Sequence, residues 1–165
     1  MEAHMAKRDR IDGLSGSTEY RFAIGRVIET RFDEMMLHRA GTLLGRDPEQ
    51  LHDMRVGSRR LRAAMDVATD CFPRRRYGYY HQTIKRLTDV LGGVRDCDVL
   101  RETLVAYRRS RPTAEHPAIN RMLRDLRVER DARRIDMIAF FETLDADRFD
   151  VRFRGFLAEY SRGEG

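Results

Sequence analysis

Apolar residues recur at intervals of three and four along most of this chain, and no stretch alternates apolar and polar positions long enough for a sheet. The pattern predicts an all-α fold, an antiparallel bundle of about six helices. Residues 1–16 lack such a period and carry Gly13 and Gly16, so they read as a mobile arm before a helical domain at 17–161 and a polar tail at 162–165. Ser17 can cap a first helix in which Tyr20, Ile24, Val27, Ile28, Phe32, Met35 and Met36 form an apolar stripe, running to about Leu44 and stopping at Gly45. A second helix opens at Asp47-Pro48-Glu49-Gln50, with Asp47 as cap, Pro48 at the first helical position and Gln50 completing a capping box. Its apolar side is Met54, Leu61, Met65, Ala68 and Phe72.

Phe72-Pro73 breaks the chain, and Arg74-Arg75-Arg76 opens a third helix whose seam is Tyr77, Tyr80, Ile84, Leu87 and Leu91. Gly92-Gly93 reads as its C-terminal cap, since no strand precedes the pair and two glycines are too few for a phosphate-cradling loop. Val94 then begins a fourth helix with Cys97, Leu100, Leu104 and Tyr107 as its expected buried side. Asp96 and Asp98 would suit the N-terminal dipole of that helix, and one of them could instead hold Arg95 or Arg55 in position. Asp98 is assigned the structural role and Asp96 is left open. The basic run Arg108-Arg109-Ser110-Arg111 ends this helix, and a loop through Pro117 leads to a long fifth one. Ile119, Met122, Leu123, Leu126, Ile135, Ile138, Phe141 and Leu144 mark its apolar side, while Arg127–Asp136 is so charged that it should be exposed or face a partner. A last amphipathic segment carries Phe149, Phe153, Phe156, Leu157 and Tyr160.

At 165 residues with 41% apolar positions, the chain suffices for one helical core. No apolar run approaches the ~20 residues that a membrane span needs, and Met1–Gly16 is too polar for a secretory signal, so a cytoplasmic protein is expected. Cys71 and Cys97 stand singly on apolar faces and make no CxxC pair, which points to core thiols rather than metal ligands. The net charge of +5 is uneven: Pro48–Arg111 holds fourteen basic and eight acidic residues, a net of +6, while the remainder nets −1. An anionic partner for the middle of the chain follows.

The cations have a pattern. At about 100° per residue, His52, Arg55, Arg59 and Arg62 fall within about a quarter of the second helix's circumference. A solvated face would mix signs, yet this row meets no acid until Asp66. Arginine presents a fixed fork of donors that suits phosphate or carboxylate oxygens. The motif Leu51-His52-Asp53-Met54-Arg55-Val56-Gly57-Ser58-Arg59-Arg60-Leu61-Arg62-Ala63, followed by Leu91-Gly92-Gly93-Val94-Arg95-Asp96-Cys97-Asp98-Val99-Leu100, resembles the CHAD family, the conserved histidine α-helical domain. The resemblance is close over 47–104 and general over about 18–160. It implies an all-helical domain that binds inorganic polyphosphate along a basic surface, to which His52, Arg55, Arg59, Arg60, Arg62, Lys85, Arg86 and Arg95 would contribute. The family's second half normally repeats a His-x-x-Arg motif; here the only later histidine, His116, is followed by Pro117, so the chain resembles the first half alone.

Three other readings use the same residues. His52-Asp53 is similar to the metal-binding dyad of HD-type phosphohydrolases, with His38 and Asp89 or Asp98 as the further ligands such an enzyme needs. Asp53, however, lies about 100° around the helix from His52, and neighbouring arginines disfavour a dication. An arginine face could also hold nucleic acid, with Tyr77, Tyr79 and Tyr80 to stack on bases, although two of these fit the core seam better. The last is a helical assembly module whose arginines only solvate it. The expectation is therefore a non-enzymatic polyphosphate-binding protein with no cofactor and no metal, associated with polyphosphate granules in the cytoplasm. If one chain supplies half of a binding surface, a homodimer is the simplest source of the other half, with Phe149, Phe153 and Phe156 as interface material.

Overall fold

The computed structural model describes residues 20–161, which form six α-helices and no strand. They are α1 (Tyr20–Met36), α2 (Arg39–Leu44), α3 (Pro48–Val67), α4 (Arg74–Arg109), α5 (His116–Ala146) and α6 (Phe149–Ser161), with a 3-10 turn at Thr113–Glu115 before α5. The arm, the Ser17 cap and the polar tail lie outside the described residues.

The helix count matches the expectation, but the divisions differ in two places. The expected first helix is broken at Leu37-His38, where no glycine or proline marks the change, and its second piece ends at Gly45 with φ 69°, the left-handed conformation that glycine adopts without penalty. The expected end at Gly92-Gly93 is absent: α4 runs through both glycines for 36 residues. Tertiary packing overrides the local signal there, because Arg55 and Arg133 cross the helix at these positions. A side chain on Gly92 would meet Arg55 Nε at 3.5 Å, and one on Gly93 would meet Arg133 Nη1 at 3.2 Å. Asp96 and Asp98 are consequently mid-helix and cannot serve a helix N-terminus. Pro117 lies in the first turn of α5 rather than in a loop.

At the start of α3 the Asp47 side chain accepts from Glu49 N–H at 3.0 Å, as a cap should. The capping box does not form, since Gln50 turns away to His38, its Oε1 standing 3.3 Å from the ring Nδ1. α3 packs closely on α1 because Gly57 leaves room for the Met35 backbone; a β-carbon there would stand 2.9 Å from Met35 Cα.

The core joins α1, α3, α4, α6 and the C-terminal part of α5. Tyr77, Tyr80, Ile84, Leu87 and Leu91 are all buried, as their spacing predicts. Phe32 meets Phe153 edge-on at 5.1 Å, and Phe156 lies 4.9 Å from the Tyr80 ring. Each such aromatic ring contributes roughly 1.5–3 kcal/mol through burial. Phe149, Phe153 and Phe156 are thus at most 3% exposed inside the chain's own core and cannot also be interface material. On α5 the buried positions include Met137 and Phe140 as well as Phe141, while Ile135 and Met122 are exposed. The charged stretch of α5 is mostly exposed as expected, yet Arg130 and Arg134 face the protein: Arg130 pairs with Asp98, and Arg134 donates to the carbonyls of Thr42 and Leu43, which end α2. Cys71 and Cys97 are both free, and burial pushes the Cys97 thiol up.

Beyond Asp98 the architecture changes. Residues 99–136 form an antiparallel hairpin of two helices in which Ile119 is the one buried residue. Leu100 and Tyr107, expected inside, are each 48% exposed, because none of the other described helices covers this side of α4.

Candidate anion-binding surface

α3 and α4 run antiparallel, with Met65 beside Tyr77 and Arg55 beside Gly92 and Asp96. Leu51, Met54, Ser58, Leu61 and Met65 are buried, and the side of α3 that flanks them runs outward along its edge with α4. On that outward side stand His52, Arg55, Arg59 and Arg62, over a length of about 15 Å at 1.5 Å per residue. Arg59 is exposed, and His52, Arg55 and Arg62 are half-buried.

Within the row, Arg55 is the one arginine with an ion pair among the described residues. Arg55 Nη2 lies 3.3 Å from Asp96 Oδ1, a single contact to a carboxylate that is 67% exposed. Asp96 is therefore the acid that reaches Arg55, while Asp98 is buried against Arg130, a structural role other than the helix-dipole one expected. His52, Arg59 and Arg62 have no ion-pair partner among the described residues. Nor does Lys85, which falls on the stripe of α4 that carries Gly92 and Asp96, within about 40° by register.

Three residues implied by the resemblance stand elsewhere. Arg60 is exposed but sits about 100° around α3 from Arg59, on the flank towards α1. Arg86 is about 120° around α4 from Gly92, with its guanidinium 4.9 Å over the Phe140 ring of α5. Arg95 keeps only 12% of its side chain exposed, with Nη1 3.4 Å from Glu102 and Nε buried without a partner.

An open cleft of about 410 Å³ lies where the hairpin leaves the bundle, lined by Arg101, Arg127, Arg130, Asp98 and Asp131 beside the start of α3. Reading the sequence missed Arg101, which carries no local signal beyond being an arginine, while Arg127 opens the charged stretch expected to be exposed or to face a partner.

The metal dyad does not assemble. His38 approaches Gln50 and stands 3.9 Å from Asp53 on the α1 side of α3, away from His52. No cluster of three His, Cys, Asp or Glu side chains able to hold a metal ion occurs among the described residues. The aromatic candidates are equally engaged. Tyr77 and Tyr80 are core residues, with the Tyr77 hydroxyl donating to Met65 O at 2.8 Å. Tyr79 is exposed, and its hydroxyl is tied to Asp147.

The two helices pack along their length and carry the row of arginines on their shared edge. The CHAD domain family model matches residues 26–164, and the chain belongs to that family. Curated proteins and solved structures give no match. No described helix is long and apolar enough to cross a membrane.

Proposed function

We propose that the protein binds inorganic polyphosphate along the α3 row, as a binding protein rather than an enzyme. The observation that carries this reading is the line of His52, Arg59 and Arg62, without acidic partners among the described residues, around an Arg55 held by one exposed carboxylate. A linear polyanion offers such a row one oxygen-rich group after another, and each arginine can engage two oxygens. Membership of the CHAD family is consistent with the same ligand. Lys85 extends the surface onto α4, whereas Arg60, Arg86 and Arg95 belong to its margins or to the packing beneath it. The engagement of Tyr77, Tyr79 and Tyr80 within the protein weighs against stacking on bases, and so against nucleic acid as the preferred ligand. We place the protein in the cytoplasm, at polyphosphate granules, and as a homodimer.

The test is a calorimetric titration with polyphosphate of defined length and with single-stranded RNA, each at several salt concentrations. Polyphosphate should bind more tightly, with affinity falling steeply as salt rises, because several cations release counterions from one polyanion. Arg55→Ala and Arg59→Ala should each weaken binding on the order of tenfold, about 1.4 kcal/mol, with helical circular dichroism unchanged. Affinity independent of salt, or untouched by both substitutions, overturns the reading.

A further inference from the structure

The hairpin has no core of its own. Of the twelve large apolar side chains exposed among the described residues, six lie in it: Val99, Leu100, Tyr107, Met122, Val128 and Ile135. Two helices with a single buried residue between them gain little from packing, and helical stability in proteins rests mainly on packed apolar faces.

Leu100, Tyr107 and Met122 share one side of this hairpin. Arg133 touches Gly93 on the outward flank. Leu100 and Tyr107 lie seven and fourteen residues beyond Gly93, and Met122 eleven before Arg133. At 3.6 residues per turn these separations are close to whole turns, so all three project on that flank. The flank continues along α4 to Asp96 and Arg55.

The charges along the hairpin are graded. The tip, residues 105–121, holds Arg108, Arg109, Arg111 and Arg121 against Glu115, a net of +3. The turns beneath it, 96–104 and 122–130, hold four arginines against Asp96, Asp98, Glu102, Asp125 and Glu129, a net of −1. A two-fold axis near the middle of the hairpin would lay each basic tip on the acidic turns of the other copy, with the apolar flanks between them.

We infer that a second copy of this chain covers the hairpin, forming a two-fold four-helix interface centred on Leu100, Tyr107 and Met122. Resting on the polyphosphate reading, the interface also brings the tip arginines of one copy beside Asp96 and the α3 row of the other, adding cations to the same anion path.

Sedimentation equilibrium without polyphosphate tests the interface separately from the ligand. The wild-type protein should be a dimer at micromolar concentration, and Leu100→Glu with Met122→Glu should give a monomer with unchanged helical circular dichroism. Should that variant misfold, charge reversal decides: Arg111→Glu, at the residue whose guanidinium lies 5.4 Å over the Tyr107 ring, with Arg121→Glu should weaken the dimer, and adding Asp96→Arg with Asp125→Arg should restore it. A wild-type monomer, a dimer that survives the apolar substitutions, or reversal without rescue overturns the proposal. A confirmed dimer that fails to bind polyphosphate would leave the interface standing and remove only its proposed contribution to the anion path.

Discussion

Helices α3 and α6 both pack against α1, and both carry arginines, but the two sets are used in opposite ways. On α6, Arg154 reaches Asp33 of α1 and Asp150 of its own helix while lying 5.0 Å over the Phe32 ring, and Arg152 is tied to Asp147. Arg76 joins α6 to the start of α4 by a two-pronged contact with Glu159, at 2.9 and 2.8 Å. On α3, Arg59 and Arg62 have no such acid among the described residues, and Arg55 has one contact at 3.3 Å. Arginines already held by carboxylates help close a fold, whereas those left without acids have donors available for an anion.

The sharpest way to break the comparison is to attack each helix where its role is concentrated. Phe153 is fully buried against Phe32 and Tyr80. Phe153→Ala should lower stability by about 3–5 kcal/mol, whereas Arg59→Ala should stay within about 0.5 kcal/mol of wild type. Urea denaturation of both variants checks this, and comparable losses would mean that the α3 arginines are structural after all.

Much of this contrast was legible in the sequence. The Asp47-Pro48 start, the apolar spacing of α3 and the seam from Tyr77 to Leu91 are local signals, and local signals survive folding. The row His52, Arg55, Arg59 and Arg62 followed from the same period. What failed depended on distant residues. Gly92-Gly93 looks like a helix end when nothing shows that Arg55 and Arg133 cross there. Reading a break at that point also hid the register linking Lys85, Gly92 and Asp96, although Asp96 stayed open as a residue that could hold Arg55. Leu100 and Tyr107 have the spacing of buried residues, but no covering helix, a property that periodicity cannot express.

Asp96 gives a prediction of intermediate size. Among the described residues it is the one acid paired with the row, and a bound polyanion would compete with it for Arg55. Asp96→Asn should therefore raise polyphosphate affinity a few-fold, in line with a release of roughly 0.5–1 kcal/mol from an exposed pair. A loss of affinity in the same titration would show instead that Asp96 aims Arg55 at the ligand.

On the α6 side, Arg154→Ala removes two ion pairs and the packing over Phe32. Because the side chain is partly exposed, the cost should be only about 1 kcal/mol, seen as a lower denaturation midpoint. Polyphosphate binding should not change. A loss of binding without a loss of stability would move Arg154 into the functional class and blur the division between the helices.

The smallest effect is expected from the exposed pair Arg76 and Glu159, and its pH dependence identifies it. The hydrogen bond from the Arg76 guanidinium, followed by its charge, holds the Glu159 carboxyl below the usual glutamate range. A carboxylate whose pKa is lower in the folded than in the unfolded chain contributes stability above its unfolded pKa. That contribution fades as pH falls from the ordinary glutamate value of about 4.3 through the lower folded value. Glu159→Gln keeps the shape and removes the charge, so wild type should be slightly more stable than the variant at neutral pH. The two should converge as acid protonates Glu159, and strong salt at neutral pH should also shrink the gap. Chemical denaturation of both proteins across that acid range measures it directly. A difference that persists undiminished below the folded pKa would mean that Glu159 acts through packing on α6, and the pairing would not be what separates α6 from α3.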